Sequence, residues 1–307
     1  MTIWYEGMPL PDKRLLPRAR RRIWELDFLR GVFILLMVMD HTFFDIGYPY
    51  MFGLAWSASG NEAAVKMVEF CAWYWDHPVR EWVHDIVLWG FFLLCGMSVA
   101  FSRNNYLHSL KIALCAIVLT CGTSLAEAWG IGTSITVRFG VIHMLAVTCF
   151  FAALVYGVVR RHRVLQIFTF FGLGLAFYLF GVLYLNVKDW TGSPDWWCVI
   201  GATMGDAYTF TPGDHFPIFG YMDGLAVYSR WLAVPYITRV FWGAALVPLL
   251  YPAKRSLLPR FDRAWHRPLT FIGRHTLVVV LAHQVVIPIV LALITGWFIT
   301  PGDYAII

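Results

Sequence analysis

The stretch of sequence that decides the fold lies at residues 26–48 and reads LDFLRGVFILLMVMDHTFFDIGY. At about 1.5 Å per residue, this length suits one helix that crosses a hydrocarbon core about 30 Å thick. The whole chain has the same character, since 59% of its 307 residues are hydrophobic and 14% are charged, whereas soluble domains carry about 25% charged residues. We therefore predict an all-α, multi-pass membrane protein and exclude a soluble domain or a disordered chain.

Apolar runs predict about seven transmembrane helices, each near the length that a span needs. With 15 Trp, 14 Tyr and 24 Phe, the chain also has enough aromatic residues for belts at both membrane interfaces. The predicted spans are Leu26–Tyr48, Asp85–Phe101, Ile112–Trp129, Val137–Val159, Val164–Leu185, Trp231–Tyr251 and Thr276–Ile299.

The cations predict the orientation of these spans. Sixteen of the 24 Lys and Arg lie before the first span or in the segments after the second, fourth and sixth, so the N-terminus is expected in the cytoplasm and the C-terminus outside. Residues 1–25 form the predicted cytoplasmic basic segment, without the apolar region of a cleaved signal, and residues 26–307 the transmembrane domain. Because the cations fall between apolar runs, they indicate orientation and not a nucleic-acid partner.

The first span contains five ionisable side chains, each of which costs about 2.5–3.5 kcal/mol near the bilayer centre and is therefore a functional candidate. On a helix, Arg30 and His41 lie within about 20° of one face and about 16 Å apart along the axis. We interpret His41 as a general base that Asp40 or Asp45 orients. Asp27 is expected to pair with Arg30 at the interface.

Further titratable residues gather toward the predicted outer side. Adjacent helical residues point about 100° apart, so we expect Asp85 to face the interior and His84 the rim. His77 precedes Pro78 in a predicted loop, where it is either solvated or catalytic. The other candidates on this side are Glu127, Arg138, His143, Asp214 and His215.

The last span brings a histidine near the membrane midplane and cations at its inner end. Arg274 and His283 are nine residues apart, so on one straight helix they face opposite ways and serve different contacts. His283 either forms an interhelical hydrogen bond or lines a ligand site. The six cysteines show no zinc spacing, and no metal is predicted. Cys71 and Cys198 are the two in outer segments, where they form a disulfide or stay free.

Several motifs, in order along nearly the whole chain, resemble the heparan-alpha-glucosaminide N-acetyltransferase catalytic family and its bacterial relatives. The spacing of Arg30 and His41 also resembles the arginine-ten-histidine element of the broader membrane acyltransferase superfamily. The residues that carry the family resemblance are LDFLRG at 26–31, LMVMDH at 36–41, FLLCGMS at 92–98, RFGVIHM at 138–144, DHFPIF at 214–219 and FIGRHTLVVVLAHQVVI at 271–287.

This resemblance implies transfer of an acetyl or similar acyl group from acetyl-CoA to a hydroxyl or amine of a carbohydrate or glycoconjugate, outside a bacterial inner membrane. A homodimer is left open. Residues 220–224 (GYMDG) depart from the family pattern, so the acceptor site is the part of the protein that the resemblance describes least well. The positions that match the family's polar motifs are His41, Asp45, His77 and Asp85, and Asp40 is a further catalytic candidate beside His41. The residues assigned to the donor are Arg30, Arg138, His143, Arg274 and His283, and those assigned to the acceptor are Glu127, Asp214 and His215.

Two alternatives remain open at this stage. An acyl-histidine intermediate can replace direct transfer. A proton-coupled transporter or flippase can use the same carboxylates and histidines as a relay, although the sequence shows no inverted repeat and its titratable groups crowd one side.

The orientation is tested with single cysteines placed in a cysteine-free variant at position 104 and at position 192. An impermeant thiol reagent added to intact cells should label only the cysteine at position 192. Labelling at position 104 from outside would invert the proposed topology.

Overall fold

The computed structural model describes residues 23–47, 52–102, 104–129, 141–180 and 236–298. Within these ranges 88% of the residues are helical and there is no strand, which confirms the predicted all-α class. The helices of this part are α1 (Trp24–Gly47), α2 (Gly53–Ala58), α3 (Glu62–Trp75), α4 (Pro78–Phe101), α5 (Asn105–Ala128), α6 (Val141–Val159), α7 (Arg163–Phe180), α8 (Tyr236–Leu250), α9 (Arg267–Arg274) and α10 (Thr276–Phe298).

Each of the seven predicted spans overlaps a helix in the described part of the chain, namely α1, α4 to α8 and α10. In the described ranges, four of these helices are long and apolar enough to cross a membrane: α4, α5, α6 and α10. The helices α7 and α8 are apolar but shorter. Although α1 and α4 both have 24 residues, α1 carries the ionisable side chains that lower its hydropathy.

The predicted outer segment before the second span contains more helix than the sequence pattern indicated. Helices α2 and α3 lie there, and α4 begins at Pro78, seven residues before the predicted start. Asn61 begins α3 by accepting hydrogen bonds from the amides of Ala63 and Ala64. His77 caps α4 in the same way, with Pro78 in the first turn. The earlier start places residues 80, 84 and 85 on one helix.

Helix α8 lies at the centre of the bundle, between α4 and α7. Helix α1 packs on α9, α3, α4 and α10. The hydrophobic core joins these helices through fully buried side chains of α1, α4, α6, α7 and α8, including Ile34, Phe92, Met144, Phe170, Tyr236 and Phe241.

Two pairs of glycines let these helices approach until backbone touches backbone. A Cβ at Gly96 would overlap the carbonyl oxygen of Val240, and one at Gly243 would overlap that of Leu93, so α4 and α8 meet reciprocally. Gly31 and Gly273 form the same arrangement between α1 and α9. Because lipid tails are as apolar as side chains, such close packing is a main source of helix association in a bilayer.

We expect Gly96→Ala to destabilise the purified protein by about 1–3 kcal/mol, because the new methyl group overpacks the contact with α8. Gly122→Ala is the matched control, since nothing lies within 4 Å of a Cβ there. Thermal unfolding in detergent should give a midpoint several degrees lower for the first variant alone. Equal midpoints would show that the close approach contributes little.

Candidate functional site

A cavity of about 570 Å³ runs beside α1 and reaches residues near both of its ends. Its middle is walled mainly by apolar side chains of α1, α4, α5, α6 and α10, including Phe33, Leu36, Val87, Phe91, Ile112, Leu145, Leu277 and Val280. One end, here called the cationic end, is lined by Asp27, Arg30, Ser98, Lys254 and Arg274. The opposite end, here called the histidine end, is lined by Asp40, His41, Tyr74, Arg80, His84 and Gln284.

The cationic end is organised around the buried carboxylate of Asp27. Arg30 Nη1 lies 2.9 Å from Asp27 Oδ1, which confirms the predicted pair, and Arg274 Nε lies 3.1 Å from Oδ2. Arg30 also donates to Ser98 Oγ at 2.8 Å. Lys254 donates to a backbone carbonyl at 2.9 Å. Among the residues that line this end, three cations face one carboxylate, so the surplus charge is positive and suits an anion.

The histidine end holds a pair of hydrogen-bonded imidazoles. His41 Nδ1 lies 2.8 Å from His283 Nε2, and His283 Nδ1 lies 3.3 Å from the carbonyl oxygen of Val279. Because a carbonyl only accepts, His283 Nδ1 carries a hydrogen, and the Nε2 of the neutral ring accepts one from His41. The Nε2 of a neutral His41 is then left with a free lone pair. His283 is buried, whereas His41 is exposed to the cavity.

A buried ion pair stands beside the two histidines. Arg80 Nε donates to Asp40 Oδ1 at 2.8 Å, and Arg80 Nη2 donates to Oδ2. The Arg80 guanidinium also lies over the ring of Trp75, 3.6 Å from its centroid. Burial and the Asp40 charge raise the pKa of Tyr74, so its hydroxyl keeps its proton and donates to Asp40 at 3.3 Å.

The structure assigns these contacts differently from the sequence analysis at several residues. The imidazole of His41 meets His283 and not Asp40 or Asp45. Asp45 is half-buried near the end of α1 and does not line the cavity. Arg274 ends α9 while His283 belongs to α10, which begins at the predicted residue Thr276, so the two side chains do not share one straight helix.

The neighbours His84 and Asp85 on α4 are both half-buried, and they differ in whether they line the cavity. His84 lines the cavity together with Arg80, which lies four residues earlier on the same face of α4, and Asp85 does not line it. His77 lies outside the cavity lining, where its Nδ1 accepts from the amide of Val79 at 3.2 Å.

The remaining candidates from the sequence lie elsewhere. His143 bonds Thr120 Oγ1 at 2.9 Å between α5 and α6, away from the cavity lining. Arg138, Asp214, His215 and Cys198 lie outside the described residues, as does the side chain of Glu127. Cys71, the other half of the considered disulfide, is buried and free.

Sequence reasoning missed Arg80, Ser98 and Lys254. Arg80 could have been recognised from the sequence. The predicted outer segments contain few cations, and an arginine close to the start of a membrane span needs an acidic partner. Ser98 carries no such signal, since serine is common in packed membrane helices.

The model of the family described as heparan-alpha-glucosaminide N-acetyltransferase, catalytic, matches residues 62–285. The chain belongs to this family. Comparison with curated proteins and with solved structures gives no match. Together with the apolar helices, the family makes this chain a membrane acetyltransferase-type enzyme. The matched range includes α4 and the first part of α10, up to residue 285, and these helices carry Arg80, His84, His283 and Gln284.

The Asp40–Arg80 pair generates a prediction about stability. Asp40→Asn should destabilise the protein by about 3–5 kcal/mol, because it leaves a buried guanidinium charge without compensation. Glu62→Gln, which breaks the exposed pair of Glu62 with Lys66, should change stability little. Thermal unfolding of both variants is the measurement. Adding Arg80→Met to Asp40→Asn should restore part of the loss, and a further loss would contradict the ion-pair assignment.

Proposed function

We propose that this membrane enzyme transfers an acetyl or similar acyl group from acyl-CoA to a hydroxyl or amine of a carbohydrate on the opposite side of the membrane. The observation that carries the proposal is the continuous cavity, which joins a cationic end to an open histidine along one helix. An acetyl-CoA molecule has matching parts in the same order: phosphates, an extended pantetheine arm and a thioester.

The cationic end would bind the phosphates of the donor. Arg30 and Arg274 present guanidinium groups, which form charge-assisted and often bidentate bonds to phosphate oxygens. Lys254 adds a third charge at the same end. The apolar middle would then hold the pantetheine arm, and the spacing of about 16 Å between Arg30 and His41 on α1 would bring the thioester to the imidazole.

His41 would act as the general base. Its free Nε2 takes the proton of the acceptor hydroxyl or amine, the acceptor atom attacks the acyl carbonyl, and the tetrahedral intermediate expels the CoA thiolate. The imidazolium then returns its proton to that thiolate, which balances the reaction. His283 would keep His41 in the required tautomer and orientation. The alternative is an acyl-histidine route, in which the same Nε2 attacks the carbonyl first.

The ion pair of Asp40 and Arg80 would fix the electrostatics around this base. Arg80 donates to both oxygens of Asp40. The carboxylate would therefore contribute a fixed negative charge near His41, and not the hydrogen bond to His41 that was expected from the sequence. The acceptor would arrive at this end, and its candidate residues, proposed from the sequence alone, are Glu127, Asp214 and His215.

The relay function is less favoured by the same geometry. A proton relay needs titratable groups or water at every step across the membrane, whereas the described wall between the two ends of the cavity is mostly apolar. Localisation in a bacterial inner membrane, with the cationic end in the cytoplasm, is part of the proposal.

The proposal predicts that Arg30 and His41 have separable roles. Arg30→Ala should weaken acetyl-CoA binding by about 10- to 100-fold, because it removes charge-assisted hydrogen bonds that exist in the ground state. His41→Ala should lower kcat by at least about 100-fold and leave acetyl-CoA binding within a few fold, because a base acts mainly in the transition state. Calorimetry and a transfer assay measure the two effects.

Matched controls are available on the same protein. Arg161→Ala and His162→Ala remove exposed residues that do not line the cavity and should match the parent. His77→Ala must be run beside His41→Ala. If His77→Ala is inactive while His41→Ala keeps near-parental turnover, the base lies at the start of α4 and not on α1. If intact parent protein binds no acetyl-CoA, the acyltransferase proposal fails.

A further inference from the structure

Some polar side chains at the histidine end are hydrogen-bonded to one another, and others have donor or acceptor atoms without a partner in the described part of the chain. Asp40, Arg80 and Tyr74 are joined in one hydrogen-bonded cluster. His41 uses Nδ1 on His283 and keeps one free nitrogen. The other polar side chains named at this end are His84 and Gln284.

Gln284 has the clearest unmet requirement. Its Oε1 is buried and has no hydrogen-bond partner among the described residues. Buried polar atoms in folded proteins almost always have a partner. Because other atoms of Gln284 line the cavity, a turn of its carboxamide would let a ligand there supply the missing donor. Because the oxygen only accepts, that ligand must present an N–H or O–H group.

The position of Gln284 narrows the choice of ligand group. Leu277, Val280 and Gln284 lie three and four residues apart on α10 and line the same cavity, so they follow one helix face. Gln284 is about 12 Å beyond Thr276, which lines the cavity near its cationic end. It also directly follows His283, the partner of His41. The carboxamide therefore lies at the depth of the base, where the pantetheine arm approaches its thioester.

At that depth a bound acyl-CoA offers one fixed hydrogen-bond donor, the pantetheine amide N–H next to the sulfur-bearing carbons. The thioester itself has only acceptors. In the proposed reaction the reacting proton of the acceptor substrate goes to His41 Nε2. The pantetheine amide is the donor whose position along the cavity is set by the phosphates and the thioester of the same molecule, and it is therefore the group that we assign to Gln284.

We propose that Gln284 Oε1 accepts a hydrogen bond from the pantetheine amide nearest the thioester and so positions the acyl group against His41. The inference rests on the proposed function. It makes Gln284 a binding residue for the arm of the donor, separate from the cations that bind its phosphates.

Calorimetry with two probes tests this assignment on the purified full-length protein. Acetyl-CoA carries the arm, whereas adenosine 3′,5′-bisphosphate carries nucleotide phosphates without it. Gln284→Leu should weaken acetyl-CoA binding about tenfold, the value of one hydrogen bond, and leave binding of the bisphosphate within twofold. Gln284→Glu keeps an acceptor oxygen and should retain acetyl-CoA affinity within about threefold.

Gln166→Leu is the matched control, because Gln166 is also a buried glutamine but does not line the cavity. It should change neither affinity, and all variants must keep the parental unfolding midpoint. Equal loss of both probes in Gln284→Leu would overturn the inference, as would unchanged acetyl-CoA affinity with a raised KM for the acceptor. If the parent binds neither probe, the proposed function itself fails.

Discussion

A bilayer supplies no hydrogen-bonding partner, so every ionisable group on α1 must be neutralised by another part of the chain. Two of the buried carboxylates of this helix, Asp27 and Asp40, meet that requirement with arginines at opposite ends of the cavity. Asp27 binds Arg274 at the end of α9 as well as its own neighbour Arg30. Asp40 binds Arg80 of α4. These two ion pairs set where α4 and α9 stand relative to α1, and the cavity lies between the two attachments.

The close glycine contacts complete this arrangement. Where Gly31 and Gly273 meet, α1 and α9 are in backbone contact, so Arg274 reaches Asp27 from a fixed position. The α4–α8 contact at Gly96 and Gly243 holds α4 from its other side. Rigid supports of this kind are what a site needs if its side chains are to keep their geometry without being tied down by a ligand.

In the same arrangement, some polar groups have hydrogen-bond or ion-pair partners within the protein, and others do not have them in the described residues. The carboxylates and Arg80 are occupied by one another, and His283 is held by a backbone carbonyl. His41 Nε2 and the carboxamide oxygen of Gln284 have no such partner among the described residues, and they are the groups proposed to contact a bound ligand. A site with two cationic guanidinium groups at one end and these two open groups at the other matches a long, polarised donor better than a small symmetric solute.

The sequence by itself determined the class of protein, the approximate spans and the importance of α1. Those conclusions depend on composition and helical period, which are local properties. The pairing of Asp27 with Arg30 was also predictable, because both residues lie on one helix three positions apart. The resemblance of several ordered motifs indicated the family before the fold was known.

Only the tertiary structure decided which partners meet across helices. The bond of His41 to His283 joins residues 242 positions apart, and that of Arg80 to Asp40 joins two separate helices. Helical spacing assigned His41 to a carboxylate on its own helix, because it contains no information about the face that another helix presents. Which of the neighbours His84 and Asp85 lines the cavity depends on the face of α4 that packs against the other helices, and in the structure it is His84. Contacts between helices depend on packing in three dimensions, and that is why they were absent from the sequence pattern.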